Sequence, residues 1–344
     1  MFSAARGRGP LRYGILSAAR GGTGRYDTRP VLRLKAEIMT RGSITIRNAD
    51  PSDLDACFAL FADALVYDAF SRGLLREKLW PDRWPPEMRG GALVAEEQGR
   101  IVGCMQHVVR ASQRKAWIGL FAVASSHRRR GVARELFEHI RHLWPAETEE
   151  VEVLAIPGNY FSPGVDPRYT PALAWLEAKG FERFKDCVNM RASLARAFAT
   201  VDDEARIRAA GVAVRRARPA DGTLLDAFFA EHFGSDWRYE ASLALEVDPP
   251  ALHLAIEGDR VIAFAAHSTQ NREWGFFGPM GTTPACRGRG VGRVLLCRCL
   301  NDLRAAGHAS AVIPWVGPVS FYTRAVGAVV ERVFWRFRRR GAIR

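Results

Sequence analysis

Two short segments hold residue types suited to a phosphorylated ligand: RRRGVA at residues 128–133 and RGRGVG at residues 287–292. Each follows an apolar run and opens a stretch with helical apolar spacing, so each reads as a turn from strand into helix. The first N–H groups of a helix have no partner within it, and the helix dipole favours an anion there. Glycine at set places lets the backbone approach that anion closely. The chemistry this suits is the binding of a pyrophosphate. Arg128, Arg129, Arg130, Gly131, Val132 and Ala133 form one candidate cradle, and Arg287, Gly288, Arg289, Gly290, Val291 and Gly292 the other. One Arg-x-x-Gly-x-Gly alone is a weak signal; two in matched contexts are what give it weight.

The elements that must position these turns also occur twice. ITIRNADPSDLDACFALF at residues 44–61 matches VAVRRARPADGTLLDAFF at 212–229, each a strand, an arginine, and a Pro-x-Asp that opens a helix. LVAEEQGRIVGCMQHV at 93–108 matches HLAIEGDRVIAFAAHS at 253–268, each a strand, a turn and a strand. The segments at 121–140 and 280–299 match through the two turns, and ALAWLEAKGF at 172–181 matches VSFYTRAVGA at 319–328. Landmark offsets drift from 168 (Arg47 to Arg215) through 160 (Arg100 to Arg260) and 159 (Arg128 to Arg287) to 147 (Gly180 to Gly327). Order is kept while spacing changes by loop-sized amounts, as duplication produces. Each half reads strand, helical stretch, strand hairpin, strand, helix, strand, helix, strand, with fifth strands expected at 149–156 and 309–316. The expected fold class is α/β with a mixed sheet, an antiparallel hairpin on one side and a strand–helix–strand unit on the other. The expected domains are 43–196 and 212–344, joined by a charged, Ala-rich and helix-capable linker at 197–211.

On these turns and strands, the halves resemble the GNAT (GCN5-related N-acetyltransferase) family. The resemblance implies two acyl-CoA N-acyltransferase domains in tandem, acetyl-CoA as co-substrate, and no metal. It places the pyrophosphate on the Arg/Gly turns and the thioester in a gap beside the fourth strand, at Phe121 and Val123 in the first half and Met280 and Thr282 in the second. Through GFFGPMGT (275–282) and GPVSFYTRAVGA (317–328), the second half is similar to a bacterial tandem group that includes glucosaminide N-acetyltransferases. That similarity implies a small primary amine as acceptor, with amino sugars first. In many family members a Tyr five residues before the Gly of the last motif serves as general acid. Tyr322 holds that place before Gly327, whereas Trp175 holds it before Gly180 and has no hydroxyl. The second half is therefore the expected catalytic domain and the first a degenerate or structural one. Tyr160 and Tyr169 are possible substitutes there, with loop packing as the simpler reading. For the base that frees the amine, Glu273 and His267 are the available side chains, with a water chain as the alternative.

Two rivals follow from other features: a non-catalytic acyl-CoA sensor, and a protein or nucleoprotein acetyltransferase guided by basic ends. The net charge of +13 sits mostly at those ends. Residues 1–41 hold nine Lys/Arg against two acids, and the last fourteen hold six Arg against Glu331, leaving +1 for the body. Such ends read as solvated tails rather than as a nucleic-acid face. Residues 1–42 read as an extension outside the fold: a disordered arm, a transit segment, or upstream sequence before a true start at Met39. Cys57, Cys104, Cys187, Cys286, Cys297 and Cys299 show no metal spacing and read as core residues of a reducing compartment. His139 and His142 share a helix face without a third ligand. No apolar run of membrane-spanning length and no secretory leader is evident, so a cytoplasmic protein is expected, with oligomeric state open.

Overall fold

The arginine and Pro-x-Asp that begin each half explain how each half starts. In the computed structural model, which describes residues 39–41 and 44–341, Arg47 at the end of strand β2 (Ile44–Asn48) grips both oxygens of Asp53 at 2.8 and 2.9 Å. Arg215 near the end of β8 (Val212–Arg216) grips Asp221 in the same way at 2.7 Å. Each aspartate also accepts a backbone N–H three residues upstream, from Asp50 or Arg218. The bidentate arginine thus turns the chain from strand into helix, and its hydrogen bonds hold both carboxyls below their ordinary range.

The first half continues through helices α1 (Leu54–Ala64) and α2 (Arg72–Leu79), hairpin β3 (Met88–Glu97) and β4 (Arg100–Arg110), β5 (Lys115–Val123), α3 (Val132–Leu143), β6 (Glu150–Val153), α4 (Thr170–Ala178) and β7 (Glu182–Ser193). Helix α5 (Val201–Ala209) lies in the linker. The second half repeats the order: β8, α6 (Gly222–His232), α7 (Ser235–Leu245), β9 (Leu252–Glu257), β10 (Arg260–His267), β11 (Phe277–Thr282), α8 (Val291–Ala305), β12 (Ser310–Ile313), α9 (Val319–Val326) and β13 (Val329–Arg340). The element order matches the sequence reading, and the fifth strands are shorter than expected. A further strand, β1 (Met39–Arg41), pairs antiparallel with β2, so the fold includes three residues that the sequence reading assigned to the extension. The remaining expectations for residues 1–38 lie outside the described residues.

In each half the helices cover two faces. α1 and α2 pack one face of the first half, while α3 and α4 pack the other. α6 and α7 cover one face of the second half's sheet, and α8 and α9 the other. The buried residues of α3 (Val132, Leu136, Phe137, Ile140) follow the helical period. α8 is buried more widely because α5 lies on its outer side, through Glu204 on Arg298 and Asp203 on Arg293. Cys299 faces the sheet and Cys297 faces α5, and all six cysteines are free and buried.

The strand order departs from two separate sheets. One sheet runs β1-β2-β3-β4-β5-β6-β13-β7-β12, and the other β11-β10-β9-β8. The last strand of the second half, β13, lies between β6 and β7 of the first, and β7 in turn pairs with the second half's β12. The halves therefore exchange their final strands, and the two exchanged strands pair with each other, from Val329 opposite Arg191 to Arg338 opposite Glu182.

This corrects the reading of the basic C-terminal end as a solvated tail. Arg332 pairs with the buried Asp68 and Asp166, Arg336 with Glu152, Arg338 with Glu182 and Arg340 with Glu150. Four of these arginines thus meet acids of the first half, because β13 is an inner strand. Among the described residues no helix is long and apolar enough to cross a membrane.

Candidate functional site

Each Arg/Gly turn is built the same way. Gly290 (φ 84°) is the N-cap of α8 and Gly131 (φ 89°) that of α3, and neither helix has a side-chain cap on its first turn. Two residues earlier the backbone is again left-handed, at Gly288 (φ 78°) and Arg129 (φ 65°). The first arginine of each motif folds back: Arg287 Nε donates to the Thr282 carbonyl at 3.4 Å, and Arg128 Nε to the Val123 carbonyl at 3.3 Å. The result is an uncapped helix start behind a tight turn, a shape and polarity that fit a pyrophosphate. In the second half this turn meets the strand and the last helix. A Cβ added to Gly292 would stand 3.5 Å from Met280, 3.6 Å from Thr282 and 3.7 Å from Phe321. Those are ordinary contacts, which is why Ala133 fits at the matching place.

Beside the turn, the fourth and fifth strands part. β5 and β6 pair in parallel only from Lys115 with Glu150 to Ile118 with Val153, and Leu154 N–H closes the ladder on the Ile118 carbonyl at 2.7 Å. β11 and β12 form no ladder: a single parallel bridge, Phe276 with Val312, stands just before β11, with the Val312 N–H on the Gly275 carbonyl at 3.0 Å. Beyond those points the backbone of β5 and of β11 faces a gap. The two gaps differ in what fills them. In β5 only Phe121 and Val123 of the splayed part are half-buried, and the Phe121 ring lies 5.6 Å from Trp175, itself 5.6 Å from Phe137. In β11 every residue from Gly278 to Thr282 is half-buried, so this strand is the more open of the two.

The structure brings Met280, Thr282, Gly292 and α9 together, and Tyr322 stands on α9. Its ring packs on Phe277 (6.3 Å) and Phe321 (5.0 Å), and burial pushes its hydroxyl up to about 12. The group thus stays protonated at neutral pH, as a proton donor must, and among the described residues its hydroxyl has no hydrogen-bond partner. Gly327 (φ 66°) ends the helix.

The residues proposed as bases are placed otherwise. Exposed Glu273, in the turn before β11, accepts from the N–H and hydroxyl of Ser71, the N-cap of α2 in the first half. It is near β11 in sequence but directed at the other half. His267 is held by Asp302 of α8 (3.3 Å), which also binds His253 (2.7 Å) and Arg216 (2.7 Å). Burial would raise the Asp302 carboxyl, but these three partners hold it far below its usual range. His267 pairs with Phe277, and Ala265 with Met280, so His267 lies two residues, about 7 Å, along the strand from Met280. Tyr160 is buried against Phe276 and Trp315 of the second half, and the Tyr169 hydroxyl donates to Asp68. Among the described residues no group of His, Cys, Asp and Glu is placed to hold a metal ion.

Sequence reasoning missed a buried polar cluster between the halves. Lys78 of α2 is almost fully buried, ion-paired with Glu77 at 2.7 Å, and reaches Asn159 (3.4 Å) and Gln270 (3.5 Å). Gln270 donates to Glu240 of α7 at 3.4 Å. No local pattern marks these residues, because each is buried by the opposite half.

Comparison with known proteins follows the geometry. The family model described as the acetyltransferase (GNAT) family matches residues 58–155 and again 221–327. Among solved structures, the GCN5-related glucosamine N-acetyltransferase region of a fungal multi-domain GH3 beta-N-acetylglucosaminidase aligns at TM-score 0.72 and 20% identity. That alignment covers 88% of this chain and 38% of the other, so this chain spans well under half of that protein. A GCN5-related N-acetyltransferase from Sphaerobacter thermophilus aligns at TM-score 0.66 and 19% identity, covering 89% of this chain and 98% of that one. A tandem GNAT protein from the clavulanic acid biosynthesis pathway aligns at TM-score 0.63 and 16% identity, covering 86% and 98%. No protein of curated function matches the sequence. At these identities the structures speak for the fold, and the family model, which spans more than half the chain, for its kinship: the protein belongs to the acetyltransferase (GNAT) family and carries that family's domain twice.

Proposed function

We propose that the chain moves an acetyl group from acetyl-CoA to the primary amine of a small molecule, in the cytoplasm, with residues 212–344 as the catalytic domain and 43–196 as a structural one. The observation that carries this reading is the asymmetry of the two gaps. β11 is the more open strand and has the Tyr322 ring against its Phe277, whereas the Trp175 and Phe121 rings pack on each other beside β5. Acetyl-CoA would supply an activated thioester carbonyl. Residues 287–292 would hold its pyrophosphate at the α8 N-terminus, and the free edge of β11 near Met280 would offer backbone N–H groups to the carbonyl oxygen. Tyr322 would return a proton to the departing sulfur. An amino sugar is the first acceptor to try, on the likeness in fold to the glucosamine N-acetyltransferase region.

The test is thiol release from acetyl-CoA across glucosamine, aminoglycosides and polyamines. Turnover is expected with an amino sugar; thiol release with none of these amines would reject the reading.

A further inference from the structure

The proposed reaction needs a group to take a proton from the acceptor's ammonium; Glu273 is turned to Ser71, and His267 is engaged by Asp302 of α8. The second half's sheet has two faces. Met280 and Thr282 meet the α8 side, where the cofactor turn and Tyr322 lie, while a Cβ on Gly281 would run into Phe233, which follows α6, at 2.6 Å. An amine attacking the carbonyl from the side opposite the turn would arrive through the α6/α7 face, where the first half packs. Glu240 faces that boundary.

Its surroundings are those of a site for a cation. Glu240 is 7% exposed. One carboxylate oxygen has only the Gln270 amide, at 3.4 Å, and the other has no partner among the described residues. Lys78, the nearest buried ammonium, pairs with Glu77 rather than with Glu240. Lys78 draws on the Glu240 charge but is committed to Glu77, and a ligand ammonium would give the buried carboxylate a partner of its own. The cluster reaches the acyl strand by a short path: Thr269, next to Gln270, donates to the Gly278 carbonyl of β11 at 3.3 Å. Neutral amides line the same boundary. Asn159 and Gln270 lie on Lys78, and Asn271 is fully buried with its Oδ1 unpartnered. The free Asn271 Oδ1 suits a ligand hydroxyl, while the amides of Asn159 and Gln270 are taken up by Lys78 and Glu240.

We propose that Glu240 is the acceptor-side base of the second half, taking the ammonium of a compact hydroxylated primary amine at the boundary between the halves, where Asn271 Oδ1 is open to one of its hydroxyls. This rests on the acetyltransferase reading above. The carboxylate accepts one proton from the ammonium, and the freed nitrogen pair forms the C–N bond to the thioester carbonyl carbon. The C–S bond breaks with its electrons on sulfur, which takes the Tyr322 proton. The second nitrogen proton restores Tyr322, and Glu240 gives its proton to solvent. Burial first, then the nearby Asp236 on its own helix, pushes the Glu240 carboxyl up to about 8, against the pull of Lys78 and the Gln270 bond. The other charged or titratable groups at the cluster are Glu77 of α2, Tyr160, whose hydroxyl is raised by burial and by Glu240, and Tyr239 of α7, raised by burial and, to a lesser degree, by Glu240.

The experiment compares wild type with E240Q, using glucosamine and saturating acetyl-CoA across pH. For wild type, kcat/KM for glucosamine should rise with pH through an acid limb near 8. E240Q should lose that limb and fall by about 10²-fold or more, while the KM for acetyl-CoA holds. Matching profiles for the two proteins overturn the proposal. Should E240Q fail to fold, calorimetry of glucosamine binding to wild type in the presence of CoA, at neutral pH in buffers of different ionisation enthalpy, decides instead. Binding with release of about one proton per site supports the ion pair, and binding without release, or no binding, overturns it. Turnover of a different amine by a wild type that neither binds nor acetylates glucosamine would overturn this inference and leave the acetyltransferase reading standing.

Discussion

At the scale of single residues, Tyr322 and Trp175 hold matched places on matched helices, and only one has a proton to give. Tyr322→Phe keeps the ring on Phe277 and Phe321 and removes the donor, so the fold should survive while kcat falls by about 10²- to 10⁴-fold with donor affinity little changed. Trp175→Phe should leave kcat within roughly tenfold, since it removes no acid. Wild-type turnover by Tyr322→Phe would dismiss the acid, and a crippled Trp175→Phe would move the chemistry to the first half. Both places were legible from a five-residue spacing. Glu240 was not: its carboxyl is remarkable only for its burial, which the first half imposes from far along the chain. That burial also marks stability. The Glu240 carboxyl is raised from 4.5 to about 8, so its contribution is fully present below about 4.5 and is lost as pH rises through about 8. Melting temperatures of E240Q should accordingly gain on those of wild type across that window, and a constant difference would deny the shift.

At the scale of elements, the Arg/Gly turns were the most legible part of the chain, because glycine is needed where φ is positive and two copies fixed its place. Gly290→Val and Gly131→Val should strain the backbone alike, at about 1–2 kcal/mol each, since both sites are left-handed. Their effects on activity should differ. Gly290→Val should raise the acetyl-CoA KM strongly, and Gly131→Val should raise it little; steady-state kinetics showing equal losses would remove the distinction between the domains. The added Cβ at 290 would also meet the tip of Arg206, 2.5 Å away, whereas at 131 the nearest atom, on Arg134, is 3.4 Å away. Glu273 was misjudged for an element-level reason. Its distance from β11 in sequence is short, but the turn that carries it points to Ser71 of α2, and strand alternation says nothing about a turn.

At the scale of the molecule, the duplication was legible and the strand exchange was not. Strand periodicity tells which face of a strand is apolar, not which edge it joins, so β13 could not be assigned to the first half from its pattern. Its five arginines suggested a free end; four of them pair with Asp68, Glu150, Glu152, Asp166 and Glu182 of the other half, and Arg339 donates to the Lys179 carbonyl there. Ending the chain before Val329 should therefore leave β6 and β7 without their shared neighbour and abolish cooperative unfolding of the whole protein, not of the second half alone. A sharp melting transition in the shortened chain would contradict this. The exchange also bears on how such a chain can change over generations. Neither half can be lost, borrowed or swapped as a cassette, because each lends the other a strand. A substitution that loosens one half is felt in the other, so the two copies stay under common selection whatever work each does.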